Sequence, residues 1–110
     1  MDAAATRRKL KIQAGVAKRV FKEHEVYENE VVENKIKLDK LRAEGEEDWG
    51  VRNAAKLVEE SKKMVVNTDQ RLRKAVEDLR DVIVLAKKDP AFAEDEELMK
   101  AEEVFETVSA

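Results

Sequence analysis

From Val51 to Ala86 apolar residues recur at steps of three and four: Val51, Ala55, Val58, Val65, Leu72, Val76, Leu79, Ile83 and Ala86, with Lys62 and Asp69 the polar members of the stripe. From Leu10 to Leu41 the pattern returns as Ile12, Val16, Val20, Tyr27, Val31, Leu38 and Leu41, interrupted at Glu23/His24 and at Asn34. A stripe that narrow dries only against another helix lying nearly parallel or antiparallel to it. The chain is therefore read as all-α, and as a protein that works with the outsides of its helices.

Composition supports helix over disorder. Charged residues make up 43% of the 110 residues and aromatics 5%, a profile of long helices with a thin core of valine, leucine and alanine. Disorder at that charge density would not preserve a seam of this length. The formal net charge is -3, with basic and acidic residues interspersed. A basic concentration, Arg7, Arg8, Lys9, Lys11, Lys18, Arg19 and Lys22, opposes an acidic run from Glu94 to Glu97 with Glu102, Glu103 and Glu106. Nucleic acid would require a one-signed basic face, and the basic cluster reads first as a solvated helix face. The chain has no cysteine, which excludes a disulfide framework or a thiolate nucleophile. Its N-terminal residues lack the apolar core of a secretory signal, and no apolar run reaches the ~18 residues of a membrane span. A cytoplasmic protein without membrane contact is expected.

The punctuation divides residues 1–110, taken as a single domain, into an antiparallel three-helix bundle with two long helices and one shorter C-terminal helix. Helix one is expected over about 7–43 with Thr6 as its cap and looser residues before it. The glycine-bearing break Glu44–Gly50 turns the chain back, with Asp48 a candidate cap, and helix two follows over about 51–88. Each would be roughly 50 Å long. Val65–Asp69 is the weakest stretch of helix two, with a kink favoured over a full stop. Asp89-Pro90 restarts a helix over about 90–107 that places Ala91, Leu98, Ala101, Phe105 and Val108 on one face. A turn centred near Glu47 sets Leu38 opposite Ala55 and Val20 opposite Leu72. Glu23 and His24 then fall beside Asp69 in a polar, weakly packed layer.

Candidate chemistry is sparse. His24 is the one histidine, and its acidic neighbours are helix neighbours rather than a convergent metal set. No glycine-rich phosphate loop is present, so neither catalysis nor a cofactor is expected. Trp49 is read as capping the hairpin core, with an exposed partner anchor as the other reading. Gly15 sits inside a strongly helical run, where it costs about 1 kcal/mol relative to alanine. A close approach by helix three, or else by a partner, would account for it.

Leu10-Lys11-Ile12-Gln13-Ala14-Gly15-Val16-Ala17-Lys18-Arg19 resembles the tubulin-specific chaperone A family, also called tubulin-folding cofactor A. The likeness continues through Lys22-Glu23, Tyr27-Glu28, Arg42-Ala43-Glu44, Trp49, Glu60-Ser61, Met64 and Gln70-Arg71-Leu72, over about residues 7 to 85. Members carry a proline where this chain has Val66 and a methionine where it has Lys63, so the family's helix-two kink does not carry over with the rest. The resemblance implies a three-helix bundle that binds β-tubulin folding intermediates and exchanges them with cofactor D on the way to the αβ-heterodimer, without nucleotide, metal or catalysis. The positions it marks for the partner are Lys11, Gln13, Lys18, Arg19, Lys22, Tyr27, Glu28, Glu60, Ser61, Met64 and Arg71. The rival readings are a homo-oligomeric coiled-coil scaffold that does not bind tubulin, and a helical hairpin that binds nucleic acid through the basic N-terminal turn.

Overall fold

The computed structural model describes residues 2–45 and 49–110, so the proposed Asp48 cap and the turn centre at Glu47 lie outside the described residues. Helix α1 runs Ala3–Ala43 and α2 Trp49–Lys87; a single 3-10 turn, Pro90–Phe92, precedes α3, Glu96–Ser109. No strand occurs among the described residues, and none of their helices is long and apolar enough to cross a membrane. The all-α reading holds.

The chain forms two compact units. The first combines Met1–Phe21 with Gln70–Ala110, and holds the start of α1, the end of α2 and all of α3. The second, Lys22–Asp69, is a two-helix hairpin.

In the hairpin, α2 turns a different edge inward from the one the apolar spacing suggested. Ala54, Val58, Ser61 and Thr68 are buried, whereas Lys62 is exposed and Asp69 half-buried. The steps of three and four survive, displaced by one residue where the expected stripe was polar. The reason lies in what each side chain costs to bury. A lysine or aspartate on the seam would be a desolvated charge, but a serine or threonine can satisfy its hydroxyl within its own helix. The Ser61 hydroxyl donates to the Leu57 carbonyl at 2.8 Å and accepts from the Asn34 amide at 3.2 Å. Thr68 donates to the Met64 carbonyl at 2.8 Å, and its Oγ1 shares a 2.8 Å hydrogen bond with His24 Nδ1. On the other side His24 Nε2 lies 3.4 Å from Glu28 Oε1.

A polar position does lie at His24, and the residue bonded to it across the seam is Thr68. Asn34, which broke the apolar spacing of α1, makes the second cross-helix bond. No buried side-chain nitrogen or oxygen among the described residues lacks a hydrogen-bond partner. Toward the turn the pairing becomes apolar: Leu38 packs with Ala54 and Val58, and Leu41, Val51 and Ala55 close the rim. α2 continues through Val65–Asp69 without interruption.

The first unit carries the larger core. Leu10, Ala17, Leu72, Ala75, Leu79, Ile83 and Ala86 meet Phe92, Leu98, Ala101 and Val108. Two local departures from the expected elements explain how it closes. α1 starts at Ala3, because Asp2 accepts from the Ala4 N–H at 3.0 Å as a cap. Thr6 is therefore inside the helix rather than before it, buried, with its hydroxyl donating to the Asp2 carbonyl at 3.2 Å.

At the other end Asp89 does act as a cap, accepting from the Ala91 N–H, but for the 3-10 turn alone. A helix running on from Pro90 would carry Phe92 about 100° past Ala91, away from the Leu98 and Ala101 face. The break at Ala93–Asp95 swings Phe92 into the core, where it is 1% exposed, and leaves Ala91 outside. Asp95 then caps α3, accepting from the Glu97 and Leu98 N–H groups at 2.9 and 3.2 Å.

The second oxygen of Asp95 accepts from Arg7 Nε at 2.5 Å, and the Arg7 guanidinium lies 5.1 Å from the centre of the Phe92 ring. One nearly buried carboxylate thereby starts α3 and fastens it to the first turns of α1. Lys87 at the end of α2 pairs with Glu102 of α3 at 3.1 Å.

Two outcomes test these contacts. Thr68→Val should lower stability by about 1 kcal/mol, because it keeps the shape but leaves His24 Nδ1 unpaired. Adding His24→Leu should recover part of the loss in a double-mutant cycle read by urea unfolding. The Arg7 hydrogen bond holds the Asp95 carboxyl below its ordinary range, against the opposing effect of desolvation, with the α3 N–H bonds acting in the same direction as Arg7. A depressed folded pKa contributes stability that is complete above the unfolded value of about 3.9 and is lost as pH falls through the folded one. Asp95→Asn should therefore flatten the acid limb of the stability–pH curve below about pH 4.

Candidate functional site

Shallow recesses lie at the hairpin tip. One, of about 260 Å³, is lined by Asn34, Leu41, Trp49, Asn53, Ala54 and Leu57. Trp49 does not cap the core beneath it: the indole is 78% exposed. It begins α2 at the edge of the hairpin, and a tryptophan so exposed is available as an anchor rather than as a plug.

The marked partner positions separate by unit. In the first, Lys11, Lys18, Arg19 and Arg71 are exposed and Gln13 is half-buried at the edge of the α1 core stripe. In the second, Lys22, Glu28 and Glu60 are exposed, while Tyr27 and Met64 are half-buried. The His24–Thr68 bond sets the register there, so Tyr27 and Met64, one turn further along toward the hairpin tip, sit at one level of the two helices. Ser61 differs from all of these. It is 4% exposed, with its hydroxyl engaged by Leu57 and Asn34, and it has no surface to offer. Polar identity at a helical step suggested a surface serine; only the packing shows it inside.

Two residues of the outer face of α1, Ile12 and Gly15, differ from what the sequence suggested. Ile12, taken as a seam residue, is 54% exposed. The inward positions are Thr6, Leu10 and Ala17 instead, and runs of alanine beside them hid that register. Gly15 is exposed, and a Cβ built there would meet nothing within 4 Å, so helix three does not approach it. Arg8 is exposed as well. At about 100° per residue, Arg8, Lys11, Ile12, Lys18 and Arg19 all fall within about 60° of Gly15 around the helix axis. A helical wheel centred on the glycine rather than on the apolar residues would have found this grouping.

The face is of one sign. No acidic residue occurs between Ala3 and Lys22, and among the described residues none of Arg8, Lys11, Lys18 and Arg19 makes an ion pair. Arg7, by contrast, is turned to Asp95 and Phe92.

What the fold and these faces define is an all-helical protein with exposed, charged helix surfaces. The family model described as Tubulin binding cofactor A matches residues 5–105, and the chain belongs to that family. Among relatives, the tubulin-specific chaperone A of Gallus gallus is 34% identical over 101 residues, 92% of this chain and 91% of its own length. Among solved structures, human tubulin chaperone cofactor A aligns with a TM-score of 0.79 at 30% identity, covering 96% of this chain and 99% of its own. Tubulin folding cofactor A from Arabidopsis thaliana aligns with a TM-score of 0.88 at 26% identity, covering 96% and 97%. The resemblance seen in the residues is thereby established, and it extends beyond Leu85 into α3.

Because nothing inside the protein fills the space at Gly15, its replacement by alanine carries only the helix-propensity gain. Gly15→Ala should stabilise the chain by about 1 kcal/mol, raising Tm by roughly 4 °C in a calorimetric scan.

Proposed function

We propose that this chain is a tubulin chaperone that binds β-tubulin folding intermediates in preference to α-tubulin and hands them on toward the αβ-heterodimer. Cofactor D is the protein with which it exchanges its cargo. The observation that carries this reading is the family match over residues 5–105, together with a relative of nearly the same length named as a tubulin-specific chaperone. The physical character of the chain supports it. Thin seams and shallow recesses suit holding a partner on a helix face, whereas catalysis would need a cleft that excludes water. In this reading the protein acts in the cytoplasm alongside the cytoskeleton, as a passive reservoir without nucleotide, metal or chemistry of its own.

The residues proposed to meet β-tubulin are Lys11, Gln13, Lys18, Arg19 and Arg71 on the first unit and Lys22, Tyr27, Glu28, Glu60 and Met64 on the second. Ser61 is left out because it is buried. Exposed charges of this kind alter stability by less than about 0.5 kcal/mol but set encounter rates and salt dependence.

β-Tubulin diluted from denaturant into the purified chain should co-migrate with it in native electrophoresis, and α-tubulin should not. Capture should persist after nucleotide is removed with apyrase. Reversing Lys18 and Arg19 to glutamate should weaken capture at low salt while leaving the unfolding midpoint unchanged. Absence of β-tubulin from the shifted band, or a nucleotide requirement residing in this chain, would overturn the proposal.

A further inference from the structure

A glycine in the middle of a 41-residue helix, exposed and touched by nothing, has no explanation inside the fold. Glycine lowers helix stability, and its structural benefit is to let another backbone come close. Here that benefit is available only to something outside the chain. Around it stand four exposed cations, Arg8, Lys11, Lys18 and Arg19, none of them ion-paired among the described residues, and an isoleucine that is 54% exposed.

We propose that the outer face of α1 centred on Gly15 is a docking surface for an acidic helix of the partner. The partner's backbone packs into the notch at Gly15, Ile12 supplies the apolar contact, and the four cations pair with carboxylates on either side. This rests on the tubulin reading above and says where on this chain, and by what chemistry, the cargo is held.

Charge complementarity selects an anionic partner, and the glycine selects its kind. Phosphates of a nucleic acid would be met at the tips of long lysine and arginine side chains, which needs neither a notch in the helix nor an exposed isoleucine. A second copy presenting the same face would bring like charges together, and an isologous dimer through it is excluded on that ground. An acidic helix satisfies all three features at once, because its carboxylates reach the rim while its backbone sits at the centre.

The test compares dissociation constants for β-tubulin released from denaturant among the wild-type chain, Gly15→Ala, Gly15→Gln and Met99→Gln, each with its melting temperature. Met99, 53% exposed against 54% for Ile12, lies on α3 and serves as the control. Gly15→Gln, whose side chain fills the notch, should weaken binding at least about tenfold, as expected when the centre of an interface is disrupted. Gly15→Ala should weaken it less and melt higher, and Met99→Gln should bind as the wild type does. A better-folded variant that binds worse separates docking from stability.

If the wild type captures β-tubulin and Gly15→Gln binds it equally well, the docking surface is wrong and the tubulin reading stands. If the wild type captures none, both fall. Gly15-dependent binding of a short RNA in filter assays, or of a second copy in sedimentation, together with unchanged β-tubulin binding by Gly15→Gln, would assign the face to that other partner and overturn the proposal.

Discussion

Burial on a two-helix seam is the constraint from which the hairpin follows. Such a seam is one side chain deep, so a polar residue on it has no third element to turn to and must find its partner on its own helix or directly across. Serine and threonine meet that condition because the hydroxyl can return to the carbonyl four residues earlier, leaving the oxygen free to accept a bond from the opposite helix. Ser61 with Asn34 and Thr68 with His24 are two instances of one solution. Lysine and aspartate have no equivalent way to shed their charge, and Lys62 turns out to water. Those hydrogen bonds also set register. Slipping the helices by a turn would take Asn34 and His24 away from these cross-helix partners, a larger penalty than a slip of apolar residues alone.

The other unit meets a different problem, how to attach a short third helix. α3 buries Leu98, Ala101 and Val108 and sets Val104 and Phe105 partly against the core, a modest apolar surface for a fourteen-residue helix. Phe92 and Asp95 supply the rest. The phenyl ring enters the core from the turn before the helix, and the carboxylate both caps α3 and receives Arg7. Arg7 lies against that ring as well, so the start of α1, the turn and the helix cap converge on one small cluster. A stretch that looks like a linker is therefore part of the structural core.

Function inherits its character from these two solutions. The exposed faces of the two units differ in kind. The N-terminal part of α1 presents exposed cations around a glycine; the hairpin tip presents an exposed tryptophan above a shallow recess.

Much of this was determined by the sequence alone. Apolar residues at steps of three and four specify helices, glycines and Asp89-Pro90 specify where the chain turns, and the run from Leu10 to Arg19 carries the family. These are local or repetitive signals, and they survive without knowledge of any neighbour. Which edge of each helix faces inward was decided only in the tertiary structure. A shift of one residue leaves the spacing intact while exchanging Lys62 and Asp69 for Ser61 and Thr68, and on α1 the inward edge runs through Leu10 and Ala17 with Ile12 at the surface. Spacing cannot resolve that choice, because it depends on which polar groups can be satisfied once two helices meet. Phe92 entered the core for the same reason: a ring that a continued helix would expose is buried by ending the turn early, and only the presence of the core makes that turn favourable.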